Sequence, residues 1–225
     1  MKKLFFAAVF ACLTSAALAQ TSQGTVVASG SLGYQNNNHK NDADTQKSVN
    51  RSFTLAPSIG YMLRDGLEAG ISVGYTSSND ESKVYNVLPG GSLELRSTSE
   101  TTNRSLAIGP YLKKYFSVSE KIAFTGQAYL NYVSAEHDYH SDYSNSRSRS
   151  NYESTGFSVG LRPGITFFPT SKIGLSAGFG SLGYTRSTST SELEYFEDSK
   201  STSSEFGLNL SGSTLSFGLG YYISR

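Results

Sequence analysis

The sequence predicts an all-β protein: an eight-stranded antiparallel up-and-down transmembrane β-barrel with short periplasmic turns and long extracellular loops. Three observations lead there. Apolar residues recur at every second position in eight segments, the connections between segments alternate between short and long, and aromatic residues collect at segment ends. Period-two alternation gives a strand one apolar and one polar face, and a closed sheet can turn the apolar face to lipid.

Composition is consistent with this. The 225 residues are 37% hydrophobic, 16% charged and 12% aromatic, too few charges and too many rings for a disordered chain. A formal net charge of +1 offers no electrostatic footprint for nucleic acid. The mean hydropathy of −0.31 argues against a bundle of membrane helices, but not against a barrel, whose apolar residues are interleaved with polar ones.

Residues 1–19 form a secretory signal peptide. Lys2 and Lys3 give the positive start, residues 4–13 the apolar run, and Ala17-Leu18-Ala19 the small residues of a cleavage site before Gln20. Thr14 and Ser15 end the run well short of the roughly 20 residues that a membrane helix needs. Cleavage removes the single Cys, Cys12, so residues 20–225, the barrel domain, carry no disulfide and no thiol nucleophile.

The strands follow in order. Val26, Ala28, Gly30, Leu32 and Tyr34 mark the first, and Phe53, Leu55, Pro57, Ile59 and Tyr61 the second. Leu67, Ala69, Ile71, Val73 and Tyr75 mark the third, and Leu106, Ile108, Pro110 and Leu112 the fourth. Ile122, Phe124, Gly126, Ala128, Leu130 and Tyr132 form the fifth, and Phe157, Val159, Leu161, Pro163, Ile165 and Phe167 the sixth. Ile173, Leu175, Ala177 and Phe179 begin a seventh that changes phase near Ser181, a β-bulge or a strand end. Leu215, Phe217, Leu219, Tyr221 and Ile223 form the last, preceded in another phase by Phe206, Leu208 and Leu210.

Short turns fall at 63–66, 117–120 and 169–171, and long polar loops at about 35–51, 76–104, 133–154 and 185–204. An up-and-down membrane barrel has this asymmetry, and an immunoglobulin-like sandwich does not require it. Leu93 and Leu95 can extend a hairpin inside the second loop, which leaves a ten-stranded count open. Tyr34, Tyr75, Tyr132 and Tyr184 lie at the long-loop ends. Tyr61, Tyr115, Phe116, Phe167, Phe168 and Tyr221 lie at the short-turn ends, giving the two aromatic girdles of a bilayer crossing.

With the apolar faces on lipid, Glu68, Tyr111, Lys113, Gln127, Tyr129 and Arg162 face the lumen. An eight-stranded barrel scarcely holds its own side chains, so Glu68, Lys113 and Arg162 are expected as a polar cluster that closes the lumen, with Glu68 paired to one or both cations.

Catalytic, cofactor and metal sets are not expected. His137 and His140 beside Asp138, and His39 near Asp42 and Asp44, lack a firm third ligand. The many serines include no glycine-framed nucleophile. The Ser/Arg stretch at 144–150 can touch anionic lipopolysaccharide. Exposed loop aromatics Tyr139, Tyr143, Tyr152, Tyr195 and Phe196 are the candidate contact residues.

Residues 106–121 carry a family likeness. Gly109-Pro110-Tyr111 opens the segment, Lys113-Lys114-Tyr115-Phe116 follows, and a polar turn through Ser119 and Glu120 precedes an apolar strand. This resembles the small outer-membrane β-barrel proteins of Bacteroidota, of the OmpA/OmpX-like and porin-family type. The resemblance implies an eight-stranded monomer in outer-membrane lipid and lipopolysaccharide, exported to the periplasm and inserted by chaperones and the barrel-assembly machinery. It implies no catalytic residues. The expected role is structural or surface-interactive, and the alternatives are a narrow porin-like channel and a lipid-modifying enzyme. A soluble lipocalin-type barrel would reverse every face.

Overall fold

A computed structural model describes residues 19–41, 45–143, 146–191, 199–209 and 216–224. After a short 3-10 turn, Ala19–Thr21, the strand segments run in order. They are β1 (Val26–Lys40), β2 (Gln46–Arg64), β3 (Leu67–Val87), β4 (Leu93–Ser117) and β5 (Ile122–Tyr143), then β6 (Ser146–Phe167), β7 (Ile173–Gly178), β8 (Ser181–Ser191), β9 (Ser199–Asn209) and β10 (Ser216–Ile223).

All pairings are antiparallel. Each of β1 to β5 is hydrogen-bonded to its successor, and β1 closes the ring on β10 from Val26↔Ile223 to Leu32↔Phe217. β7 and β8 both pair with β6 and occupy one strand position. β10 pairs with β7, and β9 with β8, in the next. Ten segments therefore fill eight positions. The predicted change of phase is a break at residues 179–180, where Gly180 takes a φ of +73° that favours glycine.

The apolar faces point outward. Ile59 is 61% exposed and Ile71 55%, while inward neighbours such as Gly60 and Met62 are buried. This orientation rules out the lipocalin alternative. The lipid-facing band on β3 runs from Leu67 to Tyr75, matching the roughly 9–11 residues that a tilted strand needs to cross a bilayer.

The long connections differ from expectation. Most of residues 35–51, 76–104 and 133–154 continue as strands, so β4 reaches 25 residues. The ladders are held by polar cross-strand pairs, including Thr54–Thr76 at 3.1 Å, Asn103–Ser78 at 3.3 Å and Asn50–Asp80. A sheet wetted on both faces needs no apolar alternation, so hydrophobic patterning cannot reveal it.

The core sits at the short-turn end. Val27, Met62, Tyr115, Ala123, Phe168 and Tyr222 pack together inside the barrel. Residues 21–25 lie across that end. Gly66 N–H donates to Thr21 O at 2.8 Å, Met62 N–H donates to Thr25 O at 2.9 Å, and both threonines are buried.

Candidate functional site

Glu68 is 1% exposed on the inner face of β3, near the closed end. Its carboxylate accepts hydrogen bonds from two phenols of β4: Tyr111 donates to Oε1, and Tyr115 to Oε2 at 2.6 Å. The Tyr115 oxygen also lies 3.1 Å from that of Tyr222 on β10. Tyr111 and Tyr115 flank Lys113 at alternate positions, so one polar face of one strand supplies both donors. Glycine makes the arrangement possible. A Cβ at Gly70 would fall 2.7 Å from Tyr111 Cζ, and one at Gly60 would fall 2.6 Å from the Tyr111 oxygen.

Phe168 closes the set, its ring edge-on to Tyr222 at 5.3 Å and tilted to Tyr115 at 6.4 Å. These residues form a packed plug across the lumen. The girdle positions predicted for Tyr115 and Phe168 are corrected by this packing. Adjacent positions on a strand face opposite sides, so in Tyr115-Phe116 and Tyr221-Tyr222 one ring must turn inward. Tyr115 and Tyr222 are the inward members, with Phe116 and Tyr221 on the lipid side. That signal was available in the doublets.

Glu68, Lys113, Gln127 and Arg162 lie on one continuous register row, Glu68↔Lys113, Lys113↔Gln127 and Gln127↔Arg162. The expected ion pair is absent: among the described residues no salt bridge joins Glu68 to either cation. The two phenols satisfy the carboxylate and hold it beside Gly60, on the β2 side. Lys113 Nζ lies 4.9 Å from the centroid of the Tyr115 ring, and the Arg162 guanidinium 5.1 Å from that of Tyr129.

Above the plug the lumen is a cavity of about 410 Å³. Its wall is hydroxyl- and amide-rich, with Ser29, Ser58, Ser176, Gln127 and Asn131, and Lys113 and Arg162 contribute its charges. Among the described residues no carboxylate lines it.

A second polar net lies on the inner face of the extracellular sheet. His137 Nδ1 is 2.6 Å from Asn103 Oδ1, its Nε2 is 3.1 Å from Ser154 Oγ, and its ring stacks on Tyr152 at 4.4 Å. Burial lowers its pKa below the usual 6.5, which favours the neutral ring. Nδ1 then donates to Asn103 and Nε2 accepts from Ser154. The order serine, histidine, asparagine matches a nucleophile with its base, but Ser154 lies mid-ladder between Ala135 and Ser189. Its backbone neighbours are committed to sheet hydrogen bonds and leave no free N–H pair for an oxyanion.

His137 and His140, three apart on a strand, face opposite sides, and His140 Nε2 lies 3.5 Å from Asp142. Among the described residues no three His, Cys, Asp or Glu side chains gather into a metal cluster. Tyr139 and Tyr143 are exposed, and Arg96 donates to the Tyr143 oxygen at 2.8 Å. Tyr152 is 36% exposed despite its stack. Tyr195, Phe196, Asp42 and Asp44 lie outside the described residues.

Comparison with known proteins agrees with this geometry. OprG from Pseudomonas aeruginosa matches with a TM-score of 0.51 and 9% identity, over 92% of this chain and 100% of that one. At that identity the likeness shows the fold alone. A major outer membrane protein from Thermus thermophilus gives a TM-score of 0.48 and 12% identity, over 89% of this chain and 99% of the other. No curated protein matches the chain. The family model described as outer membrane protein beta-barrel domain matches residues 5–223, almost the whole length. With its lipid-facing apolar band, polar lumen and closed ring of strands, the chain belongs to the outer-membrane β-barrel domain family and resides in the outer membrane.

Proposed function

We propose that this barrel is closed to solutes, catalyses no reaction, and acts as a structural and surface-contact element. The observation that carries the reading is the plug: Val27, Met62, Glu68, Tyr111, Tyr115, Phe168 and Tyr222 are each at most 5% exposed inside the wall. Residues 21–25 add a second layer beneath it. A solute would have to displace packed rings and a hydrogen-bonded carboxylate.

The surface role draws on the strands that continue beyond the lipid band. They present a polar sheet with Tyr139, Tyr143 and Tyr152 on it, and Tyr195 and Phe196 fall in sequence between β8 and β9. Lipopolysaccharide is the expected neighbour of this sheet, near the cations of residues 144–150. Insertion by the barrel-assembly machinery as a monomer, after removal of residues 1–19, completes the reading.

Planar-bilayer recording of the refolded protein tests closure. No unitary conductance is expected, and regular steps in the wild type would overturn the reading in favour of a narrow channel. A fluorophosphonate probe tests the absence of catalysis. Ser154 is expected to stay unlabelled, and labelling that depends on His137 would overturn it.

A further inference from the structure

We propose that the lumen above the plug is an outward-facing cup that binds a small oxyanion, such as a phosphate, sulfate or short carboxylate, between Lys113 and Arg162. The inference rests on the plug being closed, and adds a ligand to a space that the surface role does not use.

Three features carry it. First, the two cations belong to the same cavity wall, and among the described residues no carboxylate lines that wall. A smaller recess of about 80 Å³ is also lined by both, together with Thr125 and Gln127. Second, the one acidic group on their register row is sequestered. Glu68 stands opposite Lys113, yet Tyr111 and Tyr115 occupy its two oxygens. Lys113 is thus left without an ion-pair partner among the described residues, in a confined, partly desolvated space, an arrangement that is costly until an anion arrives. Third, the heads are presented edge-free. The Arg162 guanidinium lies over the Tyr129 ring, and among the described residues no hydrogen bond or ion pair engages its N–H groups, which stay available for bidentate donation to an oxyanion.

The spacing suits one anion. Lys113 and Arg162 are separated in register by Gln127 alone, two strand spacings or roughly 10 Å between backbones, and both side chains are long enough to converge. The break at residues 179–180 faces Arg162 and Pro163, where Phe179 N–H donates to Pro163 O at 3.2 Å. Gly178 beside it leaves room for the arginine stem, whose Cδ would lie 3.7 Å from a Cβ there. Hydroxyls of Ser176 and Ser216 and the Gln127 amide complete the wall with uncharged groups.

The test is calorimetric titration of inorganic phosphate into the folded protein in a neutral, phosphate-free maltoside detergent, with sulfate as competitor. Saturable binding is expected, weakened about tenfold or more by Lys113→Gln or Arg162→Gln and abolished in the double variant. Lys172→Gln, at an exposed short turn, should leave it unchanged. Heat-modifiable migration confirms that each variant is folded, and Arg162→Lys, which keeps the charge, gives a partial loss. Absence of saturable binding, or binding that survives the double variant, overturns the site. So does equal loss on Lys172→Gln, which would mark diffuse surface attraction. Competition by phosphocholine-headed micelles would place the binding at a lipid-facing rim and also overturn it. Bilayer recording on the same sample separates the two readings: conductance that phosphate blocks keeps the anion site and refutes closure, whereas a silent barrel that binds no phosphate refutes the site alone.

Discussion

Glu68 and Lys113 stand directly opposite each other on β3 and β4, yet the carboxylate turns to two tyrosines and the ammonium to a tyrosine face. A carboxylate that accepts two phenolic hydrogens is satisfied without a cation. The tyrosines that satisfy it also fill the lumen with apolar rings, which an ion pair cannot do. One residue type thus supplies the hydrogen bonds and the packing that close the barrel.

Removing one of those donors should be felt in stability. Tyr115→Phe deletes the 2.6 Å bond to Glu68 and leaves a buried charge under-satisfied, a loss of about 1.5–3 kcal/mol. Urea unfolding in lipid vesicles, followed by the gel shift of the folded barrel, measures it. An unchanged midpoint would mean that Tyr115 contributes packing alone.

The glycines facing Tyr111 are a sharper test of the packed plug. Gly70→Ala drives a methyl against the Ile59 carbonyl oxygen as well as the Tyr111 ring and should cost about 1–3 kcal/mol by overpacking. Gly126→Ala, with nothing within 4 Å of its Cβ, should be close to neutral. Equal effects in the two variants would contradict the tight approach.

The histidine net predicts a pH dependence. Burial lowers the folded pKa of His137 below 6.5, so the unfolded chain binds more protons as pH falls through that value, and stability rises with pH there. The contribution is present above pH 6.5 and is lost progressively below it. Amide protection factors in the outer parts of β4, β5 and β6, which correct for the pH dependence of intrinsic exchange, should fall on acidification in the wild type. The pH dependence should flatten in His137→Gln, and equal profiles would remove the histidine from the account.

Export predicts a defined mature start. Intact-mass measurement of protein recovered from outer membranes should give a chain beginning at Gln20. A start beyond residue 25 would remove the cap whose Thr21 and Thr25 lie buried beneath the plug.

Much of this molecule is legible from residue order because lipid imposes a strict rule. Every second side chain in the membrane must be apolar, so the register of Leu67 to Tyr75 or Ile122 to Tyr132 can be read without coordinates. The face of each strand and the break near Ser181 follow from the same rule. Outside the membrane it lapses. The paired extensions of β2 with β3 and of β3 with β4 are held by Thr, Ser, Asn and Asp, whose order resembles that of a polar loop.

Residue order is enough to give the strand order, the lipid-facing sides, and Glu68, Lys113 and Arg162 as the charges of the lumen. How those charges are satisfied depends on the packed barrel. Contacts across a lumen join strands far apart in sequence, as Tyr115 and Tyr222 do, and side-chain reach rather than alternation selects the partner. Cross-strand position made Glu68 and Lys113 the obvious pair. The nearness of two phenols, with Gly60 and Gly70 making room, gave the carboxylate to the tyrosines and left the cations facing an open cup.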